Sequence, residues 1–262
     1  MSYGASAFPP VWKNIIGYDK PSLIRPYEKR MNADELALSL RETISRGLVL
    51  YMPFVRFISH RPDTITKVFD RSPFGNHGTI HGAVWQTLPS GKSALSFDGV
   101  DDYVKVPETS SLDFTRNDNY TVLLWAKVKP LGKVQQLIVK GLDDRYPYKI
   151  EISDQNALFI AIWDGTNVVK VNLETIVSEH WVFCGLIKNG DSFSGVLNGE
   201  IVDTKDISGI GEVANNENVY IGTRAEKTVF FNGTIDEVRI YSRALSKEEI
   251  RRLYYLEKPF FI

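Results

Sequence analysis

From Gly47 onward the chain is written in short apolar or alternating runs separated by turn residues, and that rhythm restricts it to antiparallel sheets. Tyr120–Val128 is a sheet-core run closed by Lys129-Pro130. Trp181–Lys188, Ser192–Leu197 and Glu200–Thr204 follow one another across Asn189-Gly190-Asp191 and Asn198-Gly199, turns whose residues tolerate positive φ and so favour tight hairpins. Many strands at short spacing, with almost no helical period, describe a two-sheet antiparallel β-sandwich of the all-β class. A chain of 262 residues, 43% hydrophobic and 12% aromatic, can build one large core of this kind.

Three segments depart from the rhythm. Residues 1 to about 31 carry Pro9, Pro10, Pro21 and Pro26, with Trp12, Ile15, Ile16, Tyr18 and Tyr27 between them. Such a segment stays extended and lies on a surface, its own domain's or a partner's, because its apolar residues are costly to leave in water. Next, Asn32 caps a predicted helix that Gly47 ends, with Asp34 and Glu35 at its positive end and Arg46 at its negative end. Leu36, Leu40 and Ile44 form its apolar stripe, and a helix this short has to dock to persist. The chain thus divides into an arm and amphipathic helix, 1–46, and a sandwich, 47–262. At the far end Ser246-Lys247-Glu248-Glu249 is a capping box ahead of Ile250, Leu253 and Tyr254. The tail Pro259-Phe260-Phe261-Ile262 is apolar enough that it either tucks home or inserts into a partner. Trp12, Leu36, Leu40, Ile44, Phe260 and Phe261 are therefore the candidate assembly residues.

Charge and motif content exclude several classes. A net charge of −1 and a pI near 6.4 do not supply the basic face that phosphate backbones require, so nucleic acid is not expected as a partner. Cys184, the only cysteine, sits in an apolar run and reads as a core residue. Residues 1–10 lack the basic, apolar and cleavage regions of a Sec-type signal. No run reaches membrane-spanning length, so membrane insertion is not expected. Gly91-Lys92-Ser93 mimics the end of a phosphate loop, but Gln86 stands where the first glycine belongs. His77 and His81 have zinc-like spacing, interrupted by Gly78 and Gly82 and without a third ligand nearby.

Three phrases narrow the reading further. Ala94-Leu95-Ser96-Phe97-Asp98-Gly99-Val100-Asp101-Asp102-Tyr103 and Phe231-Asn232-Gly233-Thr234-Ile235-Asp236-Glu237-Val238-Arg239-Ile240-Tyr241, with Asp70-Arg71-Ser72-Pro73-Phe74-Gly75-Asn76-His77-Gly78 ahead of both, are in order and spacing similar to the laminin-G-like, concanavalin A-like jelly-roll family. The resemblance runs from about Gly47 to about Leu256. It implies a jelly roll used for binding, and a structural Ca²⁺ at the rim of the sandwich. The ligands it implies are Asp70, Asn76, Asp98, Asp101 or Asp102, and Asp236, the choice between the two adjacent aspartates staying open. Turn chemistry is the competing account of Asp98 and Asp101.

The resemblance also raises hydrolysis, since laminarinase-type enzymes share the fold. They need Glu-x-Asp-x-x-Glu on one strand, and here Thr234 and Arg239 stand where the two glutamates belong, so no catalytic pair is expected. Sugar binding needs an aromatic face flanked by amides and carboxylates. Tyr146 and Tyr148, which flank Pro147 in a polar loop, and Trp163 are the candidates, with a core position competing for Trp163. The expectation is a non-catalytic structural or attachment protein of a larger assembly, of virion capsid, tail or fibre type. It would display a possibly glycan-binding jelly roll and reach its assembly, or further copies of itself, through the N-terminal arm. A free lectin-like carbohydrate-binding module is the alternative, and a glycoside hydrolase of the same fold the second. The expected location is a virion or assembled extracellular particle, otherwise the cytoplasm.

Overall fold

A computed structural model describes residues 44–54, 66–141, 145–224 and 228–262. Trp12, Leu36 and Leu40, the arm and nearly all of the first predicted helix lie outside those residues. Ile44 is half-buried, and Gly47 takes φ +74°. That left-handed conformation at the expected helix end is one that glycine adopts without steric strain.

Among the described residues, sixteen strands form two antiparallel sheets of eight. In chain order they are β1 (Leu48–Met52), β2 (Lys67–Val68), β3 (Gly78–His81), β4 (Val84–Thr87), β5 (Ser93–Asp98), β6 (Tyr103–Val106), β7 (Tyr120–Val128) and β8 (Gln135–Lys140). There follow β9 (Tyr146–Ile152), β10 (Ala157–Trp163), β11 (Val168–Thr175), β12 (His180–Asn189), β13 (Ser192–Leu197), β14 (Glu200–Asp206), β15 (Val219–Ile221) and β16 (Asn232–Tyr241). The first sheet runs β14-β13-β12-β7-β16-β5-β4, with β1 also pairing with β16. The second runs β11-β10-β9-β8-β15-β6-β3-β2. The predicted antiparallel two-sheet sandwich is the fold observed.

The alternation of β7 sets the layers. Val122, Leu124, Ala126 and Val128 join the core between the sheets, opposite Ile138, Tyr148, Ile150 and Ile160 of the second sheet. Cys184 is in the same core, fully buried, and burial pushes its thiol pKa up. Thr121, Leu123, Trp125 and Lys127 of β7 point to the outer face of the first sheet. Part of that face is covered by helix α1 (Lys247–Glu257), followed by a 3₁₀ turn (Lys258–Phe260). Ser246 and Glu249 form the expected reciprocal capping box. Ile250, Leu253 and Tyr254 are buried under the helix, and Tyr254 stacks on Trp125 at 5.6 Å.

Two expectations are corrected here. Tyr146 and Tyr148 belong to a central strand rather than a polar loop, and both are buried, Tyr148 completely. Pro147 is tolerated because the β9–β10 ladder slips by one residue between Ala161 and Trp163, which relieves the need for its missing N–H. Tyr148 is thus a core residue, Tyr146 packs against half-buried Trp163 with ring centres 5.6 Å apart, and no free aromatic platform results. The second correction concerns the tail. Phe261 turns inward onto Trp125 at 4.5 Å and Trp181 at 4.8 Å, so it serves its own domain, whereas Phe260 stays 43% exposed.

Candidate functional site

The outer face of the first sheet is a series of cross-strand rows fixed by register. Ser96 pairs with Thr234, Thr234 with Lys127, and Lys127 with Trp181. The neighbouring row contains Asp236, Trp125 and Phe183. Helix α1 and the tail cover that second row and reach the first only at Trp181, where Phe261 packs, so Ser96, Lys127 and Trp181 stay half-buried and Thr234 lies buried between them. The result is a groove of about 920 Å³. Its floor is Ser96, Thr234 and Lys127, with Trp181 at one end and Asp98 and Asn232 at the other. Pro259–Ile262 and the Leu88–Ser90 turn form a wall. Thr234 donates to Gln86 Oε1 at 3.1 Å, and Lys127 meets Glu179 at 3.1 Å beside Trp181. Ser90 Oγ donates to the Phe260 carbonyl at 3.0 Å and ties the turn to the tail.

An aromatic face flanked by amides, hydroxyls and balanced charges is the chemistry that a saccharide requires. The sequence assigns no binding role to Trp181, Gln86 or Thr234. They are brought together by pairings between residues more than 50 positions apart, and the run Trp181–Ile187 reads locally as nothing more than a strand.

The six residues proposed for calcium do not form one site. Asp70 accepts from the backbone N–H groups of Tyr51, Ser72 and Asn76, each at 2.8 Å, and from Ser72 Oγ at 2.7 Å. Asn76 donates to the Val49 carbonyl at 2.8 Å and to Ser111 Oγ at 2.9 Å. The pair therefore fastens its loop to β1. Asp236 lies beneath α1, fully buried, with the Lys92 ammonium 2.9 Å from Oδ2. A lysine supplies the cation there.

Asp98, Asp101 and Asp102 do converge, with one carboxylate oxygen from each lying within 4.8 Å of the others. Local turn chemistry builds the cluster. Asp98 Oδ1 accepts from Val100 N, Asp102 Oδ2 accepts from Asp98 N, and Gly99 supplies φ +81° between them. Burial, helped by the negative charges of Asp98 and Asp101, raises the Asp102 pKa. A divalent cation would relieve that repulsion, and three carboxylates in a turn are a donor set suited to Ca²⁺. The cluster adjoins the groove, since Asp98 belongs to both.

A third constellation lies under the end of α1. A bulge in β16 between Asp236 and Arg239 breaks the alternation, with Glu237 at φ +54°. Ile235, Val238 and Ile240 still enter the core, so Asp236, Glu237 and Arg239 all turn outward beneath the helix. Arg239 Nη2 contacts both Glu237 and Glu257, the latter at 2.6 Å, and its guanidinium lies 4.2 Å from the Tyr51 ring centre. Lys92 contacts Glu237 and Asp236 and sits 4.7 Å from the Phe261 ring centre. Trp125 Nε1 donates to Glu257 Oε2 at 2.8 Å. Burial raises Glu257 to about 7 and pushes Asp236 well up against the pull of Lys92. Burial opposes the charge of Glu237 too, but Arg239 and Lys92 outweigh it and hold that carboxyl below its ordinary value.

The order of the two antiparallel sheets defines a jelly-roll β-sandwich. Residues 98–251 match the family model described as the concanavalin A-like lectin/glucanases superfamily, of laminin G type, and the chain belongs to that family. No curated protein matches it by sequence. Among solved structures it is similar to the binding domain of Paraclostridial Mosquitocidal Protein 1, at 18% identity and a TM-score of 0.64, covering 80% of this chain and 52% of that one. The receptor binding domain of botulinum neurotoxin D aligns at 16% identity and TM-score 0.65, covering 82% and 54%. The botulinum neurotoxin serotype D ligand binding domain in complex with N-acetylneuraminic acid aligns at 14% and 0.67, covering 82% and 52%. The chain spans about half the length of these structures, and at such identities the likeness establishes the fold. Among the described residues no helix is long and apolar enough to cross a membrane.

Proposed function

We propose that this chain is a non-catalytic binding module whose groove takes a glycan. The observation that carries the reading is the row Ser96–Thr234–Lys127–Trp181 along the groove, which sets half-buried Trp181 beside hydroxyl, amide and charged groups. The family includes glucanases, but Thr234 and Arg239 stand where their strand carries the two glutamates, and Asp236 between them is buried against Lys92, out of reach of a sugar. The ligand of the serotype D domain suggests N-acetylneuraminic acid among the sugars to test, and the half-length match leaves open which half of that domain holds it. The proline-punctuated arm supports a finer reading, that a larger assembly such as a virion capsid, tail or fibre carries the module.

A glycan array with the full chain and its Trp181→Ala variant tests this. A bound glycan whose affinity falls about tenfold or more in the variant, some 1.4 kcal/mol, supports the groove. Unchanged binding by the variant moves the site elsewhere, and turnover of any arrayed or soluble glucan ends the non-catalytic reading. Light scattering on the same preparation tests the tether: a defined oligomer supports assembly, and a monomer favours a free lectin-like module.

A second reading places Ca²⁺ among Asp98, Asp101 and Asp102, with neighbouring carbonyls or water completing its shell. Bound there, the ion would supply structural cross-linking of the turn at the polar end of the groove. Its support is the convergence of three carboxylates that repel one another when the cation is absent.

A further inference from the structure

The buried constellation under α1 controls one wall of the groove, and we infer that Glu257 is a proton-operated latch: with its carboxyl protonated it holds the tail Lys258–Ile262 against the sheet, and on ionisation it loosens the tail and opens the groove. The inference rests on the groove being the binding site, but its mechanism belongs to the tail alone.

The geometry is unbalanced. Three carboxylates, Asp236, Glu237 and Glu257, face two cations, Arg239 and Lys92, and the three acids are 0%, 4% and 7% exposed. With every acid ionised the network carries one uncompensated negative charge away from water, a condition that buried side chains avoid by holding a proton. Glu257 is the member placed to hold it. A single nitrogen of Arg239 serves both Glu237 and Glu257, so the guanidinium is already engaged by the stronger acid. Glu257 is also the last residue of α1, where the helix carbonyls carry partial negative charge and no basic residue stands in the last turn.

The remaining groups that face Glu257 do little to help its charge. Trp125 from β7 donates one hydrogen bond, Tyr51 from β1 and Tyr241 from β16 are phenols that burial keeps neutral, and Lys92 is committed to Asp236 and Glu237. Lys258 follows Glu257 but lies over the Tyr254 ring, 5.4 Å from its centre.

Glu257 is also the hinge between two unequally held pieces. Upstream, Ile250, Leu253 and Tyr254 are buried and anchor the helix. Downstream, the tail is held by buried Phe261, by Lys92 stacked on that ring and by the Ser90 hydrogen bond to Phe260, while Phe260 and Ile262 are exposed. The same tail residues line the groove.

The sign follows from the shift. Burial raises Glu257 to about 7 when the tail is docked, and access to water on release returns it toward the ordinary carboxylate range. The docked state therefore binds the extra proton between that range and about 7, is favoured below it, and loses that advantage as pH rises to 7.

The test is hydrogen exchange by mass spectrometry on the full chain at pH 5.5 and 8.5, corrected for intrinsic rates and followed in peptides that contain residues 258–262. Opening of the tail should rise about tenfold or more at the higher pH, with peptides of β7 and β12 unchanged. Glu257→Gln, which keeps an acceptor for Trp125 but cannot ionise, should hold the tail protected at both pH values. Phe261→Ala should open it at both and calibrates the signal. Equal protection of the wild-type tail at the two pH values overturns the latch, as does undiminished pH dependence in Glu257→Gln. Exchange reads the tail whether or not any sugar binds, so a latch that works on a protein that ignores every glycan would fault the groove reading and leave the latch standing.

Discussion

Arg239 holds together more of this domain than its single charge suggests. Its guanidinium lies under Tyr51 and contacts Glu237 and Glu257 at 5% exposure. Replacing it with Met keeps much of the volume, leaves Glu257 without its cation and Glu237 with Lys92 alone, and breaking a buried ion pair in this way typically costs about 3–5 kcal/mol. Urea unfolding of Arg239→Met should show a loss of that order, and the double variant Arg239→Met/Glu257→Gln should recover part of it. A loss under about 1 kcal/mol, or no recovery, would mean the acids are neutral whether or not the guanidinium is present. Lys92 is the other residue whose importance sequence misrepresents. In the chain it reads as a failed phosphate loop, Gly91-Lys92-Ser93, because its partners on β16 are more than 140 positions away.

At the scale of elements, what was legible is what is local. The capping box of α1 is contained in four consecutive residues, and the Asn189-Gly190 and Asn198-Gly199 hairpins in two to three each, so sequence located them within a residue or two. Ser246→Ala removes an acceptor for Glu249 N, 3.2 Å away, and should lower the thermal midpoint in line with a loss of about 1 kcal/mol. Unchanged melting would show that the Arg243–Glu249 ion pair, at 2.7 Å, fixes the helix start without the cap. What was not legible is what two elements decide jointly. The β16 bulge turns Asp236 and Glu237 to the same side, although alternation along the sequence places them on opposite faces. Tyr146-Pro147-Tyr148 reads as a loop because proline interrupts strands, and only the slipped ladder opposite it makes the strand possible. The groove row assembles single residues from four strands, so no window of sequence contains it.

Across the whole molecule, one sheet face is divided between a closed half under α1 and an open half ending at Asp98, and the acidic turn stands at that end. The three aspartates are held by the turn itself rather than by basic partners, so among the described residues nothing neutralises the cluster in the way that Lys92 neutralises Asp236. A ligand that binds the folded state alone stabilises it by about 2.7 kcal/mol at a hundred times its dissociation constant. For a domain of this size that corresponds to a rise on the order of 5–10 °C in the unfolding midpoint. Saturating Ca²⁺ should therefore raise the midpoint relative to a chelator, and Mg²⁺, which demands tighter octahedral geometry, should do less. The double variant Asp98→Asn/Asp101→Asn should melt at the same temperature with and without Ca²⁺. It should melt no lower than the chelated wild type, because removing two mutually repelling charges compensates for the lost turn contacts. Coincident melting of the wild type in Ca²⁺ and in chelator would leave the cluster as a solvated turn, with Asp98 serving the groove through its own carboxylate.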